Sequence, residues 1–121
     1  LLLPVPLSEI RLRERGYNQA WEIARRLGKA LALRADPHLL LRTKDTPHQL
    51  ALAPGARAAN VRGAFAVEPL RLRELRGTRV AVVDDVLTSG ATAAEITRTL
   101  LQAGVANVQV WVLARTPRPD R

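Results

Sequence analysis

One stretch decides the fold of this chain: Val80-Ala81-Val82-Val83-Asp84-Asp85-Val86-Leu87-Thr88-Ser89-Gly90-Ala91-Thr92. It opens with four apolar residues, three of them β-branched, which is typical of a strand buried on both faces of a sheet. Two adjacent acids follow, and then a short Thr/Ser/Gly segment leads into a helical pattern. Because strands buried on both faces are characteristic of parallel sheets, the stretch predicts an α/β architecture.

The residues after this stretch complete a strand–helix–strand unit. Apolar residues recur at helical spacing over Thr92–Ala103, and Gly104 is a suitable residue to end that helix. Thr92 and Glu95 have the spacing of a capping box. Asn107–Leu113 alternates valine with other residues, which predicts a second strand. A βαβ unit of this kind places its two strands parallel to each other.

Strand and helix patterns also alternate upstream. We predict a short strand at Leu1–Val5, a helix from Asn18 to Leu33 with Asn18 as its N-cap, and a strand at His38–Arg42. The remaining segments are predicted as a loop at Thr43–Gly55, a helical turn at Ala56–Arg62, a strand at Ala64–Val67 and a polar, partly helical connection at Pro69–Gly77. The pattern favours an α/β fold of three layers, with a mainly parallel central sheet and helices on both faces.

Composition narrows the class of protein. The chain has 121 residues, 47% of them hydrophobic, which predicts one globular domain over residues 1–121. No apolar run approaches the ~20 residues that span a bilayer, so we expect a cytoplasmic protein. The absence of cysteine excludes disulfides and thiolate metal sites. The net charge of +8, mostly from arginine, indicates a phosphorylated metabolite or a nucleic acid as partner, unless these arginines simply form solvated faces.

The acids and the segment after them form a candidate binding site. Asp84 and Asp85 are predicted at the carboxyl end of a parallel strand, where α/β proteins bind ligands. Adjacent carboxylates repel, so a hydrogen-bond donor or a cation is needed to keep both ionised. Thr88–Thr92 offers hydroxyl groups, a conformationally free Gly90 and the start of a helix, all of which favour an anion. A ribose 5-phosphate, with hydroxyl groups and a phosphate, fits both halves.

Val80–Thr92 resembles the motif with which type I phosphoribosyltransferases bind phosphoribosyl pyrophosphate (PRPP). The resemblance implies that Asp84 and Asp85 are catalytic residues that hold the ribose hydroxyls. It also implies Mg²⁺, entering with PRPP and held mostly by the ligand and water, with Asp84 or Asp85 in contact through water at most. The 5-phosphate loop implied by the resemblance consists of Thr88, Ser89, Gly90, Ala91 and Thr92.

Other phosphate-binding motifs explain the stretch less well. A Walker B strand also ends in acids, but it accompanies G-x-x-x-x-G-K-[ST], which this sequence does not contain. A Rossmann site requires G-x-G-x-x-G, which is also absent. The Thr92 side chain has a competing interpretation, because a threonine in a capping box bonds to its own helix rather than to a ligand.

The resemblance extends over nearly the whole chain to the C-terminal half of ComF-family proteins, which are linked to bacterial competence for DNA uptake. Full-length members also have an N-terminal region with zinc-binding cysteine pairs, and this sequence has no counterpart of it. The matching stretches are Pro4–Leu7, Arg11–Ala20, Arg42–Leu50, Asn60–Phe65 and Val112–Pro117.

Basic residues near the predicted site are candidates for binding pyrophosphate. Arg11, Arg13 and Arg15 follow the first strand, where the family's pyrophosphate loop lies, although a charged, solvated helix face is the alternative. Arg42 and Lys44 would approach pyrophosphate if Thr43–Gly55 closes as a lid, and otherwise belong to a plain surface loop. A further string of arginines suits a solvated face or a nucleic-acid contact: Arg71, Arg73, Arg76 and Arg79.

Three functional hypotheses follow. The first is an enzyme that transfers phosphoribosyl from PRPP to a nitrogen acceptor and releases pyrophosphate. The second is a non-catalytic module that binds PRPP or a nucleotide and acts in competence or DNA uptake. The third is a nucleic-acid binder that uses the arginines. We expect PRPP as the small-molecule ligand, single-stranded DNA or a competence protein as the macromolecular partner, and a homodimer.

Overall fold

The computed structural model describes residues 1–43, 61–87 and 90–115. The predicted lid at Thr43–Gly55 and the predicted turn at Ala56–Arg62 therefore lie almost entirely outside the described residues. In chain order the elements are β1 (Leu2–Pro4), α1 (Glu9–Arg15), α2 (Gln19–Leu31), β2 (Leu40–Arg42), β3 (Phe65–Val67), a 3-10 helix (Pro69–Glu74), β4 (Arg79–Leu87), α3 (Ala91–Gln102) and β5 (Asn107–Arg115).

A parallel three-stranded sheet forms the centre of the fold, with the order β1-β4-β5. Leu3 of β1 and Val110 of β5 both pair with Val82, so β4 lies between two parallel neighbours. This confirms the predicted βαβ unit. β2 and β3 form a separate antiparallel pair. The central strand is longer than predicted, because its pairing with β5 continues to Leu87; the two acids therefore lie inside β4 rather than after it.

Both faces of the sheet are covered by helices, as the α/β pattern predicted. On one face, Val80 and Val82 pack with Ile96 and Leu100 of α3 and with the β2–β3 pair. On the other face, the neighbouring residues of β4 pack against α2 around Ala24, which is fully buried. Because successive strand residues point to opposite faces, the uninterrupted apolar run of β4 contributes to both layers of the core.

Helix α1 was not predicted from the apolar pattern. Of its residues, all within the described range 1–43, none is buried. Its ends are instead stabilised locally: the Ser8 side chain accepts a hydrogen bond from the Arg11 amide at 3.2 Å, and Gly16, at φ 81°, donates to the Leu12 carbonyl at 2.7 Å. The segment that follows β1 is thus a short helix that carries Arg11, Arg13 and Arg15.

The described helices are short. The longest is α2, with 13 residues. Within residues 1–43, 61–87 and 90–115, no helix has the length and apolar character needed to cross a bilayer.

Candidate functional site

The two acids of β4 are linked to each other and to the backbone. The Asp84 carboxylate accepts a hydrogen bond from the Asp85 amide at 2.9 Å, and the Asp85 carboxylate accepts one from the Val86 amide at the same distance. Both side chains are half-buried at the carboxyl end of the sheet. Each carboxylate also retains acceptor capacity, because an ionised carboxylate offers about four lone-pair directions.

Burial is the main reason why the pKa of Asp84 is raised from 3.8 to about 7. A hydrogen bond with the Asp85 side chain and the negative charge of that carboxylate raise the pKa further. The Asp85 amide and the positive charge of Arg42 act in the opposite direction. Near neutral pH the ligand-free site is therefore only partly ionised at Asp84, and a ligand that donates hydrogen bonds would stabilise the carboxylate.

The start of α3 lies a few residues beyond the acids. Gly90 is the N-cap, at φ 82°, a left-handed conformation that suits glycine. Within the described part of the chain, no side chain caps this helix end. The first turn of any helix presents backbone N–H groups and a positive dipole end, which favour an anion. Ala91 and Thr92 belong to this turn, whereas Thr88 and Ser89 lie outside the described residues.

The predicted capping box of α3 is wrong. The helix begins at Ala91, after the left-handed Gly90, so Thr92 lies within the first turn and not at the cap. Glu95 is used elsewhere: its carboxylate accepts a hydrogen bond from the Gly63 amide at 3.1 Å and pairs with Arg98. The Thr92 side chain is therefore not needed to cap its own helix.

The end of β1 brings the start of α2 to the same edge of the sheet. The Val5 amide donates to the Val83 carbonyl at 2.9 Å, directly beside Asp84. The Asn18 side-chain amide donates to the Val5 carbonyl at 3.0 Å, while its oxygen accepts from the Ala20 amide at 2.9 Å. Asn18 was predicted as an N-cap; the bond that ties α2 to the carboxyl end of β1 is a tertiary contact with no local sequence signal.

The predicted pyrophosphate residues differ in their surroundings. Arg42, at the end of β2, lies over the Phe65 ring at 5.2 Å, and its positive charge lowers the pKa of Asp84. Arg11 is half-buried on α1, whereas Arg13 and Arg15 are exposed. Lys44 lies outside the described residues. A pyrophosphate role for these five residues stays a prediction.

Asp84 and Asp85 could supply only one or two of the ligands that a bound Mg²⁺ ion needs. Within residues 1–43, 61–87 and 90–115, no group of three or more His, Cys, Asp or Glu side chains could hold a metal ion. Mg²⁺ usually binds one or two carboxylates together with substrate phosphates and water, which is what Asp84 and Asp85 could supply to an ion that arrives with its ligand.

Comparison with known proteins identifies the relatives of this chain. No protein-family model matches it. Competence protein F of Haemophilus influenzae is 39% identical over 114 residues, which are 94% of this chain and 49% of that protein. DNA utilization protein YhgH of Escherichia coli O6:H1 is 38% identical over 115 residues, and the protein of the same name in Salmonella typhi is 36% identical over 115 residues; each match covers 95% of this chain and 49% of the relative.

The matches cover almost all of this chain, including the acid pair, the start of α3 and the segment after β1. The chain itself spans about half the length of these curated relatives. The resemblance to the ComF family is therefore confirmed: this chain is a homologue of the competence and DNA utilization proteins, and it corresponds to about half of each.

Proposed function

We propose that this chain binds PRPP, or a closely related ribose 5-phosphate, and serves as the ligand-binding part of a competence or DNA utilization protein. The observation that carries the proposal is the placement of two half-buried carboxylates near the end of β4, a few residues before the Gly90 cap of α3. Carboxylates suit the ribose hydroxyls and a helix start suits the 5-phosphate.

The energies of these contacts are of the order that binding requires. A hydrogen bond to a charged group contributes about 1.5–3 kcal/mol, and a helix dipole adds about 0.3–1 kcal/mol. Two bonds from the hydroxyls to Asp84 and Asp85, with two to the phosphate, would together contribute about 6–12 kcal/mol, which is comparable to the roughly 4–15 kcal/mol of freedom lost on association. When bound, Mg²⁺ would neutralise the pyrophosphate of PRPP, with Asp84 and Asp85 orienting water molecules around it.

Calorimetric titration with PRPP and Mg²⁺ tests the proposal. We expect saturable binding by the unmodified chain, weakened in Asp85→Asn because the amide is a poorer acceptor for a ribose hydroxyl. Glu68→Gln is the matched control: it also removes one carboxylate charge, but Glu68 precedes the 3-10 helix and its glutamine can still accept from the Leu70 amide. Absence of saturable binding, or equal weakening in both variants, would rule out the assignment.

Phosphoribosyl transfer to a nitrogen acceptor is a second candidate. It is favoured by the position of Arg42, whose charge reaches Asp84 in the half-buried acid pair. As the bond between ribose C1 and pyrophosphate breaks, positive charge develops on the sugar and negative charge on the leaving group. Fixed carboxylates and a fixed guanidinium could stabilise these charges in the transition state.

Release of pyrophosphate distinguishes transfer from binding alone. We expect release with at least one acceptor in a panel of bases, glutamine and ammonia, and its loss in the double variant Asp84→Asn, Asp85→Asn. An Arg42→Ala variant should slow release more than it weakens PRPP binding, since the guanidinium acts on the leaving group. If PRPP binds but no acceptor yields pyrophosphate, the chain is a binding module, which is the role that the names of its relatives favour.

A further inference from the structure

A concave surface lies at the end of the sheet opposite the acid pair. It is a pocket of about 410 Å³ between the 3-10 helix and the end of α3. The 3-10 helix precedes β4, and the end of α3 precedes β5, so the pocket lies at the amino ends of these strands. Its lining consists of Pro69, Leu70, Leu72, Arg73, Arg76 and Ala103. We call this surface the amino-end pocket.

The amino-end pocket is separate from the acid pair. Asp84 lies five positions along β4 from Arg79, where the strand begins. At about 3.3 Å per strand residue, this corresponds to roughly 16 Å along the strand. A ligand at one site would therefore not contact the other site, so a ligand of the amino-end pocket must be inferred from the residues that line the pocket.

The 3-10 helix sorts its residues into three rows, because side chains three positions apart eclipse each other in this conformation. One row carries Leu70 and Arg73, and Arg76 follows in the next turn. A second row carries Leu72 and ends in Leu75, which is fully buried in the core. The pocket is lined by the first row and by the outer part of the second.

The third row anchors the helix on its opposite side. Arg71 donates to Glu74 at 2.7 Å and to Asp36 at 3.0 Å, and Arg34 reaches Glu74 at 2.6 Å. Although burial alone would raise the pKa of Asp36, bonds from Arg71 and from the His38 amide lower it to about 2. These contacts stabilise the helix without involving its pocket side.

The turn after the helix is also held in place. The Thr78 hydroxyl donates to the Leu75 carbonyl at 2.7 Å, and the Gly77 amide donates to the Gly104 carbonyl at 2.8 Å. The second bond joins the base of the 3-10 helix to the end of α3. The two walls of the pocket are therefore connected through the backbone, so a partner would meet a surface that is already formed.

The arginines of the pocket contrast with the one outside it. Arg71 is paired with carboxylates, whereas within the described ranges no carboxylate pairs with Arg73 or Arg76. Beside them, Leu70 is 94% exposed and Leu72 is 45% exposed. An exposed leucine next to a pocket and two guanidinium groups without carboxylate partners together offer apolar surface and positive charge to a partner.

We propose that the amino-end pocket docks an acidic segment of a partner protein, with an apolar side chain in the pocket and carboxylates on Arg73 and Arg76. Charge complementarity is the reason for choosing this partner, since a guanidinium binds a carboxylate in a bidentate geometry. A nucleic acid fits less well, because the described lining contains aliphatic residues and no aromatic ring on which a base could stack. This docking role is independent of the PRPP site.

Nuclear magnetic resonance titration of the full chain tests the proposal. The probe is the peptide Glu-Glu-Asp-Leu-Leu-Glu-Asp-Glu, and the readout is the backbone amide shifts. We expect saturable shifts centred on Leu70–Arg76 and Ala103, with affinity falling about tenfold or more in Arg73→Glu, Arg76→Glu. Leu70→Ala should also weaken binding, and it should leave the fold intact because this side chain is almost fully exposed.

The controls separate docking from general attraction to a basic protein. Arg26→Glu, Lys29→Glu removes the same charge from the exposed side of α2 and should leave peptide binding unchanged. Peptides with glutamine and asparagine in place of the acids, or serine in place of the leucines, should not bind. Shifts spread over all basic surfaces, equal weakening by both double variants, preferential binding of a single-stranded oligonucleotide at these residues, or shifts that track self-association would each overturn the proposal.

Discussion

Asp84→Asn is expected to make the ligand-free protein more stable at pH 8 by up to about 4 kcal/mol, while lowering its affinity for PRPP about a hundredfold. The two effects have one cause. The site keeps a half-buried carboxyl group next to a second carboxylate, which costs stability when Asp84 is ionised but provides strong acceptors for a ligand. Asparagine removes both the cost and the charged acceptor.

The sign of the stability effect follows from the pKa of Asp84. In the unfolded chain this group loses its proton near its ordinary value of 3.8, whereas in the folded protein it keeps the proton until about pH 7. Between these values the folded state binds more protons, so stability decreases as pH rises and remains reduced above pH 7. Removing the group removes this decrease.

Urea-induced unfolding of both proteins at pH 8 and at pH 4 measures this effect, and calorimetry measures PRPP binding. The gain in stability should be small at pH 4, where Asp84 is protonated in the folded protein. Asp36→Asn is an informative control with the opposite sign, because its pKa is lowered to about 2 and the ionised form is stabilised; it should lose stability at pH 8. An Asp84→Asn protein less stable at pH 8, or with unchanged affinity, would contradict the account.

The affinity for PRPP is expected to rise with pH, by about tenfold per unit below pH 7, and to level off above it. The ribose hydroxyls need the ionised form of Asp84 as acceptor, so binding below its pKa must displace a proton. The loss of affinity at low pH is therefore linked to the same group whose ionisation destabilises the free protein.

Calorimetry in two buffers with different ionisation enthalpies counts the protons released on binding. Methyl phosphate is the control ligand, because the second ionisation of a phosphate monoester, such as the 5-phosphate of PRPP, has a pKa of about 6 and would otherwise be mistaken for that of Asp84. In the Asp84→Asn protein, the affinity for PRPP should depend on pH only as much as the affinity for the control phosphate does. Two results would exclude Asp84 as the titrating acceptor. One is proton uptake when PRPP binds; the other is that the unmodified chain binds PRPP and the control phosphate with the same pH dependence.

The proposed site and the amino-end pocket together suggest a division of the molecule along β4. One end of the strand presents carboxylates and a helix start, and the other presents guanidinium groups beside exposed leucines. Binding of peptide and of PRPP can be measured separately, so either proposal can fail without the other.

Local chemistry in the sequence was sufficient to determine much of this protein. The β-branched run Val80–Val83 specified a strand buried on both faces, Asn18 specified the start of α2, and Gly104 marked the end of α3. These signals depend on backbone conformation and on side chains within a few residues, so no tertiary contact is needed to interpret them. The order of these elements was then enough to predict the parallel sheet and its two helical layers.

Tertiary structure alone decided which distant groups meet. It placed Arg42 where its charge lowers the pKa of Asp84, tied Asn18 to Val5, and used Glu95 to bind Gly63 where the local spacing had predicted a cap for α3. It also separated the arginines in and after the 3-10 helix: Arg71 pairs with Asp36, whereas Arg73 and Arg76 line the amino-end pocket. Contacts of this kind form because the packed layers bring together residues that are far apart in the chain. The spacing of residues in the sequence does not reveal which of them will be close in space.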